Sequence, residues 1–137
     1  MKAIVYTEYG SPDVLQLKEV AKPVPGDDEL LIKVHAVSVN RSDWEGVIGK
    51  PLYARLGGLF RPKRQILGSD IAGRVEQVGK NVKQFQPGDE VFGDILDGMG
   101  GFAEYVCARE KQLALKPATM TYDEASTIPQ AAVIAVQ

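Results

Sequence analysis

The chain has 137 residues, 45% hydrophobic and 25% charged, with 16 basic and 18 acidic side chains and a formal net charge of −2. That length makes one ordinary domain with room for a core, and the charge balance argues against nucleic acid as a principal partner, because duplex binders carry a basic stripe. A single cysteine, Cys107, allows neither an intrachain disulfide nor a thiolate cage for zinc. No apolar run approaches the about 18 residues of a membrane helix, and Met1 to Tyr6 is too short and strand-like for a signal peptide, so a cytoplasmic protein without membrane attachment is expected.

Short apolar runs punctuated by 14 glycines and 8 prolines read as mainly β. Lys2 to Thr7 is β-branched and aromatic, a first strand. Gly10-Ser-Pro-Asp13 is a turn, and the alternation over Val14 to Val20 predicts a second strand. After the turn Pro23 to Asp28, Leu30 to Val39 is the strongest strand signal, with Ile32, Val34 and Ala36 on one face and Lys33 and His35 on the other. Asp43 to Ile48 looks like a short helix, followed by a loop with Gly57-Gly58. Arg61-Pro62-Lys63-Arg64 is the one basic cluster and reads first as a solvated loop, with an anion site as the alternative. Ile66 to Val78, the residues entered through the turn at Gln86 to Asp89, Phe102 to Ala108 and Leu113 to Lys116 complete the strands; Gly98 to Gly101 reads as flexible.

The pattern then becomes helical. Thr121-Tyr-Asp-Glu124 matches a capping box, in which the threonine hydroxyl and the glutamate satisfy free N–H groups at a helix start, so a helix is expected from Ala125. A second helix is expected over Gln130 to Gln137 behind Pro129, a residue suited to a first turn. Its apolar stripe Ala131 to Val136 cannot bury itself alone, so a fragment of a longer protein is expected. The division expected is a β-rich domain over 1–120 and the start of crossover helices over 121–137. No G-x-G-x-x-G lies between a strand and a helix, so this chain by itself is expected to bind a dinucleotide poorly and to be inactive.

Met1 to Val5 with Gly10-Ser-Pro-Asp-Val-Leu15, Val37-Ser-Val-Asn-Arg-Ser-Asp43, Leu67-Gly-Ser-Asp-Ile-Ala-Gly73 through Val75-Glu-Gln-Val-Gly79, and Pro87-Gly-Asp-Glu-Val91 followed by Gly101-Phe-Ala-Glu-Tyr105 occur in an order that resembles the GroES-like catalytic domain of the medium-chain dehydrogenase/reductase superfamily. The resemblance implies a β-rich α+β fold, a partly open GroES-like β-barrel with short helices, and a crossover helix leading to a Rossmann domain that this chain does not contain. Asn40 stands where zinc alcohol dehydrogenases of the superfamily have cysteine, and Gly68-Ser69-Asp70 stands where they have Gly-His-Glu. Catalytic zinc needs three protein ligands and an open position, and amide and hydroxyl are poor donors to it. The resemblance therefore narrows to the zinc-free quinone oxidoreductases of the zeta-crystallin type, with no metal ligand.

Hydride transfer without zinc requires an oriented nicotinamide, a stabilised oxyanion and a proton source. By resemblance, Asn40 and Ser42 are the candidate catalytic residues; a turn asparagine and a plain helix N-cap are the structural alternatives. Asn40, Arg41 and Gln130 are the candidate contacts to NADPH or NADH, which the absent domain would bind in the main, with Arg41 facing the pyrophosphate. Trp44, Tyr53, Ser69 and Phe60, with Leu56 and Leu59, are placed along the substrate cleft, whose apolar walls suit a quinone or an enone. Asp43 and Asp70 are expected in supporting, structural roles. Ile134 stands where relatives often carry threonine, and no contact is assigned to it. His35 is expected to be exposed and inert, and Cys107 a small buried hydrophobe. A homodimer of the full-length protein is expected. A zinc-free alcohol dehydrogenase relative and a non-catalytic GroES-like binding module are the alternative readings.

Overall fold

The computed structural model of the protein describes residues 1–55 and 58–136. The expectations placed on Leu56, Gly57 and Gln137 lie outside the described residues. Among the described residues, seven strands form two sheets. β1 (Lys2–Val5) and β2 (Gln16–Glu19) make an antiparallel pair. β3 (Glu29–Val37), β4 (Asp70–Val78), β5 (Glu90–Asp94), β6 (Tyr105–Arg109) and β7 (Leu113–Leu115) make an antiparallel five-stranded sheet in the order β6-β3-β4-β5-β7. The sheets do not close into one ladder, as expected of a partly open barrel. They meet through an isolated bridge between Ala3 and Ala103 and through the Ile4 N–H, which donates to the Phe102 carbonyl at 2.8 Å.

The larger core lies on one face of the five-stranded sheet and is filled by Leu30, Ile32, Ile71, Val75, Val91 and Ile95. Register explains the choice of residues: Ile32 is paired with Val75 on one side and Val106 on the other. The alternation expected along β3 is interrupted. Leu30 and Ile32 face this core and Leu31 between them is buried as well, while the pairing shifts between Leu31 and Ile32 because β4 carries an extra residue there, Glu76. A smaller cluster of Tyr6, Val47 and Leu67, with Met99 and Phe102 packed against it, fills the space beneath the first sheet.

Three helices serve the edges. α1 (Arg41–Ile48) starts two residues before the span expected, because its cap is Asn40 rather than Ser42 or Asp43. It ends at Gly49 in the left-handed conformation (φ 66°), which glycine adopts without strain. α2 (Tyr122–Ser126) follows the capping box at Thr121, whose hydroxyl accepts from the Glu124 N–H at 3.2 Å. It is already complete one residue after the start expected at Ala125. α3 (Pro129–Val136) opens on its proline. Residues 66–69, expected as strand, are irregular, and β4 begins only at Asp70. The Val14 to Val20 strand is likewise shortened by a turn of 3₁₀ helix over Pro12–Val14.

Candidate active site

The site is assembled where α1, the irregular segment before β4, and α3 converge. Asp43 joins the first two. Its carboxylate accepts the Asn40 N–H at 2.8 Å, closing the first turn of α1, and the Gly68 N–H at 2.8 Å. Gly68 permits the approach. It sits at φ 92°, and a Cβ there would lie 2.7 Å from the backbone nitrogen of Phe102. Burial pushes the Asp43 carboxyl above its ordinary value, while the two N–H donors pull it down.

Ser69 and Asp70 follow directly, both with no exposed surface. Asp70 accepts the backbone N–H of Gln130 at 2.9 Å, and the Gln130 side-chain amide donates to the Ser69 hydroxyl at 2.7 Å. These bonds fix the start of α3 over the start of β4. Burial raises the Asp70 carboxyl, with the Gln130 N–H opposing and the charge of Asp94, its cross-strand partner, adding to the rise. The Asn40 amide also faces Asp70 and pulls its carboxyl down, although the approach does not close into a full hydrogen bond. The amide donates in one long bond, 3.4 Å, to the Ser38 hydroxyl. Among the described residues, Asp70 Oδ1 and Ser42 Oγ are buried and have no hydrogen-bond partner.

Five of the sequence-predicted residues, Asn40, Asp43, Ser69, Asp70 and Gln130, thus come together. Ser42 lies in the first turn of α1 with them in sequence, its hydroxyl unpartnered. Trp44 neighbours Asp43 along a second space. There it walls an apolar cavity of about 280 Å³ with Leu15, Val39, Leu67 and Phe102. Arg41 and Tyr53 meet on Glu45 instead: the Arg41 Nε donates at 2.7 Å and the Tyr53 hydroxyl at 2.9 Å. The Arg41 bond is the main cause of the lowered Glu45 carboxyl. Phe60 is 87% exposed and Leu59 is exposed as well, so neither is drawn into the cluster. Ile134 is exposed on α3. His35 is exposed and stacks on Tyr122 at 4.4 Å between ring centres. Cys107 is half-buried, and burial pushes its thiol up to about 11.

Sequence reasoning missed Ser38, Glu45 and Asp94. Glu45 carried a readable signal, since it stands four residues after Arg41 on one helix. Asp94 carried none, because its influence on Asp70 depends on the register of β5 against β4.

The alcohol dehydrogenase GroES-like domain model matches residues 26–118. The chain belongs to this family. It is 42% identical over 139 aligned positions to 2-methylene-furan-3-one reductase of Solanum lycopersicum, covering 96% of this chain and 34% of that protein. It is 37% identical over 139 positions to NADPH-dependent alkenal/one oxidoreductase, chloroplastic, of Arabidopsis thaliana, covering 96% of this chain and 35% of that protein. Among solved structures, the quinone oxidoreductase from Coxiella burnetii superposes with a TM-score of 0.92 at 33% identity, over 100% of this chain and 43% of that one. The GroES-like fold of the medium-chain dehydrogenase/reductase superfamily is thereby established for the chain. The chain spans about a third of the length of the curated relatives it matches. No helix among the described residues is long and apolar enough to cross a membrane.

Proposed function

We propose that the protein is an NAD(P)H-dependent reductase, NADPH being the first choice, and that it reduces quinones or α,β-unsaturated carbonyls. The names of the relatives support the substrate class. The observation that carries the reading is the polar cluster at the head of α1. The Asn40 backbone is held by its bond to Asp43, and its side-chain amide, facing Asp70, makes one long bond of its own, to Ser38. A preset donor with spare capacity suits a carbonyl oxygen that gains negative charge during reduction.

The residues present also fit a nicotinamide nucleotide along one wall. Asn40 and Gln130 offer amides to the nicotinamide side. Arg41 is held at Nε by Glu45, which leaves its terminal nitrogens to donate to a pyrophosphate. Ser42 Oγ is a buried hydroxyl with no protein partner among the described residues, able to donate to or accept from a bound ribose or substrate oxygen. When bound, the nucleotide supplies the hydride.

The donor set does not suit catalytic zinc. Asn40 and Ser69 offer an amide and a hydroxyl, both poor zinc donors, and the single carboxylate with them, Asp70, with only Oδ1 unpartnered, falls short of the three ligands that catalytic zinc needs. Activity without added metal is therefore part of the reading. Full-length protein stripped of metal should oxidise NADPH with enones and quinones and leave simple alcohols untouched. Oxidation of alcohols that depends strictly on added zinc would overturn it.

A further inference from the structure

The basic run at residues 61–64 is not simply solvated. Pro62 is buried, and the Arg64 guanidinium donates to the carbonyls of Asp97 and, at 3.3 Å, of Leu96, so the run is tied down against the turn after β5. Both acceptors are neutral, which leaves the Arg64 charge uncompensated. Among the described residues, no carboxylate pairs with Arg61, Lys63 or Arg64. Lys63 and Arg64 form one wall of a cavity of about 450 Å³ that also touches Tyr6, Tyr9, Leu67 and Met99, and no acidic residue lines it.

Tyr6 is the second observation. The residue as a whole is 4% exposed and lines the cavity, and its hydroxyl is not among the buried unpartnered polar atoms, so the phenol oxygen is open to the cavity rather than sealed in the core. Burial pushes the phenol up to about 12, with Tyr9 and the charge of Asp43 adding and Arg64 opposing, so Tyr6 remains a donor at neutral pH. Tyr9 has no such freedom. Its hydroxyl donates to the Gly58 carbonyl at 2.5 Å, and its ring carries the Arg55 guanidinium at 4.8 Å. Two cations without a carboxylate partner and a phenol thus converge on a space whose remaining walls include Leu67 and Met99.

We propose that this cavity binds a small organic anion with an apolar body, an aryl carboxylate in the simplest case: Lys63, Arg64 and the Tyr6 hydroxyl receive the charged group, and Leu67 and Met99 pack against the body. Its size falls within the range of small-ligand pockets. The site is separate from the polar cluster of Asn40, Ser69, Asp70 and Gln130, none of which lines it. It requires neither hydride chemistry nor a nucleotide.

The test titrates the full-length protein, free of nucleotide and enone, with 1-naphthoate and with its neutral counterpart 1-naphthalenemethanol, following ¹³C-labelled methionine methyls. 1-Naphthoate should shift the Met99 methyl saturably and leave Met120 unmoved. It should bind at least about fivefold more tightly than the alcohol, and the difference should shrink in high salt. Lys63→Gln, at an exposed side chain, and Tyr6→Phe should each weaken the acid by about fivefold and leave the alcohol unchanged. Equal binding of acid and alcohol, no response at Met99, or indifference to Lys63→Gln would each overturn the site. None of these results bears on the reductase reading, because no cofactor or reducible substrate is present.

Discussion

The five-stranded sheet and the head of α1 solve opposite problems with the same backbone. In the sheet, β4 buries Ile71, Ala72 and Val75, and its backbone polar groups are paired by β3 and β5. Hydrophobic burial and ladder bonds act together there. Where β4 begins, the buried side chains become Ser69 and Asp70, and Asp43 of α1 joins them. Burying such groups is costly unless each finds a partner. Asp43 finds two backbone N–H donors, whereas Asp70 Oδ1 and Ser42 Oγ find none among the described residues. Burial in the sheet serves stability, whereas the α1 region gives some stability up to bury unpartnered polar atoms, which under the proposed function are those that meet another molecule.

Mutations should separate the two regions by size of effect. The largest loss is expected from Ile32→Ala, which opens a cavity at a fully buried site and should cost about 2–5 kcal/mol in urea unfolding. Activity per folded molecule should be little changed. Asp43→Asn should cost about 1–3 kcal/mol, because an amide cannot accept both N–H donors as well as a carboxylate does. If it costs nothing, the link between α1 and the segment before β4 is not the bond that positions the site.

Acid and base should act on the two regions with opposite sign. Asp43 and Asp70 are raised above their ordinary 3.8. Between that value and the raised ones the folded state binds more protons than the unfolded chain. This contribution is full below pH 3.8 and is lost as pH rises through the raised values. Glu90, on β5, is lowered to about 2 by the Tyr122 hydroxyl first and Lys116 next. Its contribution is present above its ordinary 4.5 and is lost as pH falls toward about 2. Urea titrations across this range should therefore show Glu90→Gln flattening the acid side, and Asp70→Asn flattening the decline above pH 3.8. Identical profiles for both variants and the parent would remove the distinction.

Much of the sheet was legible because apolar alternation and turn residues report it directly: β1, β3 and β6 fall close to where their patterns place them. What the sequence concealed was register. Glu76 is an extra residue of β4 opposite Leu31 and Ile32, and His35 an extra residue of β3 between Val34 and Ala36, and no local pattern announces either shift. The late start of β4 was hidden for a related reason: Ile66 and Leu67 look like strand, yet Gly68 at positive φ breaks the extended chain before Asp70. At the site, the residues themselves were legible by resemblance, and the capping box at Thr121 by its spacing. Their grouping was not. Gln130 reaches Ser69 and Asp70 across 60 residues of sequence or more, a contact set only by how α3 returns over β4. Tyr53 and Phe60, assigned by resemblance to the substrate cleft, lie apart from these polar residues: the Tyr53 hydroxyl donates to Glu45 and Phe60 faces solvent.

The most direct test of the account is the steady-state kinetics of Asn40→Ala in the full-length protein, with NADPH and an enone, alongside its melting temperature. The account predicts a fall in kcat/KM of about 10–100-fold from loss of a preset donor, with the melting temperature little changed. Unchanged kcat/KM in a folded variant would contradict it, and would move the chemistry away from the head of α1.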